Sequence, residues 1–98
     1  MPIFVKTEII KTEFITNKKL KKKFIDMHIL WIKELKKAGV NVKSGFLVNE
    51  IKEPGAGGLL TIEVKSYQEA QKIVKEDPMI KNNIVDWELS EWIDISTE

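Results

Sequence analysis

Imidazole is the side chain whose unperturbed pKa lies nearest neutrality, and this chain carries one histidine, His28. Asp77 precedes Pro78, at what the pattern reads as a helix end. A carboxylate there meets the negative end of the helix dipole, and burial would raise its pKa further. Each residue also has an ordinary explanation. His28 fits the flank of an amphipathic helix, and an Asp-Pro step stops helices and starts turns. Brought together in a cleft, the two would form a general acid/base pair. Asp77 would set the imidazole tautomer, and His28 would move the proton.

Other positions could serve such a pair. Ser44-Gly45 lies inside a strand-like run, where a glycine marks a bulge or a point of close approach. Ser44 adds a hydroxyl that could hold a substrate oxygen. Trp31 and Trp87 are large flat side chains suited to packing in the core or to covering an apolar substrate face. Gly55, Gly57 and Gly58 imitate a phosphate loop. No Lys-Ser/Thr follows them, and they lead into a strand, so they read as a turn.

Composition narrows the classes. Sixteen lysines against fifteen acids leave a net charge of +1, and there is no arginine. A sequence-specific DNA reader carries a basic excess and uses arginine forks, so nucleic acid is not an expected partner. Lys18, Lys19, Lys21, Lys22 and Lys23 read as a solvated helix start. With no cysteine and one histidine, neither disulfides nor thiolate or multi-histidine metal sites can form. No apolar run approaches the roughly 18 residues of a membrane span. Met1–Lys6 has no basic-then-apolar leader pattern. The expectation is one cytoplasmic domain over residues 1–98, with no membrane partner.

The elements that must position these residues follow from periodicity. Ile3–Ile10 reads as a strand. Thr16-Asn17 opens a helix over 18–38, with Leu20, Phe24, Met27, Trp31, Leu35 and Ala38 on one face. His28 falls about 60° from the centre of that face. Ile25, Ile29 and Ile32 form a second apolar row, which one sheet cannot also cover. Gly39 suits the left-handed position after a helix. Residues 40–48 and 59–65 are strands, with 49–58 a loop between them. Ser66–Glu69 is a capping box before a short helix ending near Asp77. Residues 79–83 connect to a last strand over 84–95, with Val85, Trp87, Leu89, Ile93 and Ile95 on one face. The order βαββαβ predicts an α+β, ferredoxin-like fold: a four-stranded antiparallel sheet with two helices on one face.

From end to end the chain resembles the YCII-related (YciI-like) family. The resemblance rests on the Met1–Val5 strand, His28 with Gly39 after it, Ser44-Gly45, Gly57-Gly58, and Ser66 with Glu69-Ala70. Asp77-Pro78-Met79 and Val85-Asp86-Trp87 through Glu91-Trp92 complete it. It implies a subunit that dimerises by apposing sheets, the dimeric α+β barrel, and a His-Asp centre at His28 and Asp77. Family members with assigned chemistry act on ring compounds, dehydrochlorination among their reactions. The chain departs from the family in two places. No arginine precedes His28, and Ser44-Gly45-Phe46 stands where many members have Ala-Gly-Pro. An arginine fork for an anionic substrate is therefore missing.

The combined expectation is a homodimer whose His28 and Asp77 act as a cofactor-independent lyase or isomerase. Its substrate is a small cyclic or carbonyl compound. Ser44 and Gly45 bind a substrate oxygen, and Trp31 or Trp87 covers its apolar face. The alternative is a non-catalytic small-molecule binder or accessory protein on the same fold. Single-stranded RNA binding would need exposed aromatics on the central strands, and Leu59–Lys65 has none.

Overall fold

β-Branched and aromatic residues in alternation build β1, Ile3–Ile10, at the interior of the sheet. The computed structural model describes residues 1–96; Thr97 and Glu98, the end of the expected domain, lie outside the described residues. The remaining elements are α1 (Thr12–Ile15), α2 (Lys18–Lys37), β2 (Asn41–Val48), β3 (Pro54–Glu63), α3 (Tyr67–Val74), α4 (Pro78–Lys81) and β4 (Val85–Trp92). The sheet is antiparallel in the order β2-β3-β1-β4. This is the expected ferredoxin-like α+β topology.

Strand alternation sorts the faces. Phe4 of β1, Val42 of β2 and Leu60 and Ile62 of β3 point the same way and are buried against Ile32 of α2 and Ala70 and Val74 of α3. Both long helices therefore cover one face. A second cluster, Met79, Ile84 and Val85, packs with Phe14 and Phe24 around α4. Caps set the helix ends. The Asn17 side chain accepts from the Leu20 amide at 3.1 Å, and Ser66 Oγ accepts from the Glu69 amide at 3.1 Å. Gly39 follows α2 at φ 88°.

Several sequence expectations need correction. The inward stripe of α2 is Leu20, Phe24, His28, Trp31, Ile32 and Leu35, with Ile32, 9% exposed, its most buried member. Met27, placed on that face by the sequence pattern, is exposed. His28 therefore sits within about 30° of the centre of the stripe at 100° per residue, closer in than the flank position expected. Ile25 and Ile29 remain exposed. Two short helices join the expected elements: Thr12–Ile15, between β1 and α2, and Pro78–Lys81, overlapping the connector read over 79–83. Gly45 pairs regularly with Leu59, and the register shift falls after Phe46. Ile93 and Ile95 lie beyond β4 and are exposed.

The glycine run read as a loop is the first half of β3. Gly57 has φ 93°, and a Cβ on it would lie 2.3 Å from the Glu8 carbonyl oxygen. Only glycine lets the backbone of β1 pass this close. Gly57→Ala is expected to cost about 1–3 kcal/mol through left-handed strain alone, with the Glu8 clash added. Gly39→Ala, at φ 88° with open space around it, carries the backbone cost only. Urea unfolding midpoints should drop further for Gly57→Ala than for Gly39→Ala.

Candidate functional site

The inward face of β1 carries two charged residues, Lys6 and Glu8, between the apolar Phe4 and Ile10. Lys6 has no solvent exposure. An ammonium buried at the centre of a sheet is stable only if paired and hydrogen-bonded. Its Nζ donates to Asp77 Oδ2 at 2.8 Å and to a Glu8 carboxylate oxygen.

Asp77 is equally buried, with 0% exposure. Its setting is the opposite of the one read from the sequence. α3 ends at Val74, and Asp77 is the N-cap of α4, its Oδ1 accepting from the Met79 amide at 3.0 Å. The carboxylate thus caps the Met79 amide, which has no other partner in this short helix. The same Oδ1 accepts from His28 Nδ1 at 2.9 Å. Burial pushes this carboxyl up. The His28 hydrogen bond and the Lys6 ammonium, by its charge and its own hydrogen bond, more than offset that, and the pKa lies below the usual 3.8.

A carboxyl with a lowered folded-state pKa contributes stability that is complete above the unfolded-state value. That contribution is lost as pH falls through the folded-state value. The protein is therefore expected to lose stability as pH falls below about 4. Asp77→Asn should flatten that acid limb in denaturation midpoints measured against pH.

His28 projects from the sheet-facing stripe of α2 and keeps 15% of its side chain exposed. Because Asp77 is ionised, Nδ1 carries the proton it donates, and Nε2 is the ring nitrogen turned away from the carboxylate. Nε2 lies 2.8 Å from Ser44 Oγ, within hydrogen-bond reach. Trp31, one turn along α2, tilts at 47° to the imidazole with ring centroids 5.6 Å apart. Ser44 is exposed on β2, an edge strand, and the site opens to solvent there.

The structure thus joins His28, Asp77, Ser44 and Trp31. Gly45 adjoins Ser44 in the backbone and pairs with Leu59, at a position that belongs to the opposite face of the sheet. Trp87, opposite Glu8 on β4, is packed into both core clusters. Lys6 and Glu8 were missed by sequence reasoning. The signal was the alternation that puts them on the same face as Phe4. It was obscured because Ile3, Val5 and Ile9 make the other face look like the core side.

A groove of about 370 Å³ beside Trp31 runs between α2 and α3, lined also by Leu35, Glu69, Lys72, Ile73 and Glu76. A second, of about 300 Å³, lies around Ile3, Lys43, Thr61 and Trp92. Among the described residues, no group of three or more His, Asp or Glu is placed to hold a metal ion. No helix of the described residues is long and apolar enough to cross a membrane.

The family model of the YCII-related domain matches residues 9–93. The chain belongs to the YCII-related family. No curated protein gives a significant sequence match. Among solved structures, this YCII-related chain is similar to 5-chloro-2-hydroxyhydroquinone dehydrochlorinase from Burkholderia phenoliruptrix, in complex with 2,5-dihydroxybenzoquinone. The TM-score is 0.72 at 17% identity, covering 93% of each chain. It is also similar to the de novo designed protein Ferredog-Diesel, with a TM-score of 0.58 at 12% identity over 92% of this chain and 84% of that one. A dimeric ferredoxin-like protein from an uncultured marine organism matches over 100% of both chains, with a TM-score of 0.51 at 17% identity. These likenesses establish the fold; the chemistry has to be argued from the site.

Proposed function

We propose that this protein is a small cofactor-independent lyase or isomerase of the cytoplasm. It moves a proton on a small cyclic or carbonyl compound through His28. The observation that carries this reading is the pair of contacts on the imidazole: Nδ1 on Asp77 at 2.9 Å and Nε2 on Ser44 at 2.8 Å. The first sets the tautomer, and the second marks the open side. A substrate that displaces Ser44 Oγ from Nε2 meets a neutral base whose conjugate acid is stabilised by the buried carboxylate. Ser44 Oγ is then free to bind a substrate oxygen, and Trp31 offers an apolar wall. Ring compounds are the preferred class, since the dehydrochlorinase that shares this fold holds a dihydroxybenzoquinone.

The working form is proposed to be a homodimer built on the uncovered sheet face. That face shows Ile3, Val5, Ile9, Leu59 and Trp92, the last 56% exposed. An aromatic anchor among aliphatic neighbours is the composition of a dimer core. Sedimentation at micromolar concentration should give twice the 11.3 kDa chain mass, and Trp92→Asp should shift it to the monomer. A wild-type monomer would overturn the dimer.

The activity test is hydrogen exchange in D₂O by NMR over a panel of cyclic ketones and hydroxyquinones, together with chloride release from 5-chloro-2-hydroxyhydroquinone. Exchange or release above the protein-free rate is expected with the wild type and not with His28→Ala. Tight binding of the same compounds with no exchange and no chloride release would overturn catalysis in favour of a binding module.

A further inference from the structure

Asp77, His28 and Ser44 stand in a line. The acid accepts from Nδ1 at 2.9 Å, and the serine Oγ lies 2.8 Å from Nε2. Both distances fall within the reach that identifies an activated nucleophile, with its base held by a third group. Such a constellation is recognised by geometry and roles, not by fold or order in the chain. We infer that Ser44 is a nucleophile in this protein, and that the three residues support acyl transfer from activated esters through a Ser44 acyl-enzyme. The inference shares His28 with the proposed function but needs no acidic C–H in the substrate.

Three features of the site support it. Asp77 cannot rotate freely, because Lys6 Nζ holds Oδ2 at 2.8 Å and the Met79 amide holds Oδ1 at 3.0 Å. The imidazole is therefore kept in the tautomer that presents a bare Nε2 to the hydroxyl. Ser44 is exposed, so an acyl group can reach Oγ from solvent. It also stands on an edge strand. Such a strand presents unpaired backbone N–H groups along its free side, the kind of donor that stabilises an oxyanion.

In the acylation step, Ser44 Oγ attacks the ester carbonyl as its proton passes to His28 Nε2. The new C–O bond forms, the tetrahedral intermediate collapses, and the bond to the aryloxy group breaks. The phenol leaves with the proton from His28. Water then attacks the acyl-Ser44 ester, with His28 again taking and returning the proton. The products are a carboxylic acid and free Ser44. Aryl esters are the expected class, because a phenolate leaves with little help from a general acid.

The test uses 4-nitrophenyl benzoate, whose acyl group has no C–H beside the carbonyl to exchange. Its outcome is therefore independent of the proton-transfer reading. The wild type should release nitrophenol faster than buffer and carry a benzoyl group on the tryptic peptide Ser44–Lys52. Phenylmethanesulfonyl fluoride should label the same peptide. Ser44→Ala, at an exposed position, should fold as the wild type and lose both labels. His28→Gln should slow labelling by about 10²–10⁴-fold. The inference is overturned by label on a lysine or on His28 instead of Ser44. It is equally overturned if Ser44→Ala releases nitrophenol at the wild-type rate, or if folded His28→Gln is labelled as fast as the wild type.

Discussion

His28→Ala is expected to lower proton exchange into a substrate by about 10²–10⁴-fold, the range that a positioned general base supplies. The loss should fall on kcat and kcat/KM together, because the imidazole acts on the proton in transit and contributes little to ground-state binding. The variant also forfeits one hydrogen bond to an ionised group, with a stability cost of about 1.5–3 kcal/mol. Asp77 keeps Lys6 and the Met79 amide as partners, so the fold should survive. Circular dichroism with a urea titration separates the two effects. A folded His28→Ala protein that still exchanges at the wild-type rate would remove the imidazole from the reaction.

Lys6→Met should be the most destabilising single substitution in the site, at about 3–5 kcal/mol. Removing one partner of a buried ion pair leaves the other charge uncompensated. Asp77 would lose an ammonium 2.8 Å away, so its carboxyl pKa should rise and the acid limb of stability should move to higher pH. The check is the urea midpoint at neutral pH and again near pH 5. Pairing Lys6→Met with Glu8→Gln, which removes the second carboxylate on that ammonium, should recover part of the loss. Equal midpoints for Lys6→Met and wild type at both pH values would show that Lys6 does not carry Asp77.

Much of the fold was legible because it depends on local signals. The Asn17 and Ser66 caps, Gly39 after the long helix and the β-branched and aromatic content of β1 are written within a few residues of where they act. The order of elements then admits few topologies. What was not legible depends on contacts across the chain. Gly57 looked like a loop residue because its partner, the Glu8 carbonyl, is remote in sequence and close only once β1 and β3 pair. On α2 the expected face held for Leu20, Phe24, Trp31 and Leu35, but Met27 and Ala38 are exposed and Ile32, read into the second row, is buried, since the stripe is set by what the sheet can cover.

At the candidate site, His28 and Asp77 were picked out on a partly mistaken premise. Asp77 looked misplaced at a helix end. It is in fact well placed at the start of the following helical turn, a turn too short for apolar periodicity to reveal. Lys6 is harder to see. A lysine on a strand is ordinarily read as surface, and it takes the buried carboxylate 71 residues later, together with Glu8, to explain it.

That separation bears on how the molecule reaches its final form. Asp77 loses its water shell at least cost when Lys6 arrives from the other end of the chain to join His28 and the Met79 amide, because a buried carboxylate short of partners is costly. Docking α3 and α4 before β1 would therefore be penalised, and so would inserting β1 before α4. Half-assembled species are raised in energy from both sides. The expected signature is a folding transition in which no intermediate accumulates and single-exponential kinetics hold at neutral pH. In acid that penalty lifts once the carboxyl is protonated, and loosely packed partial structures become affordable.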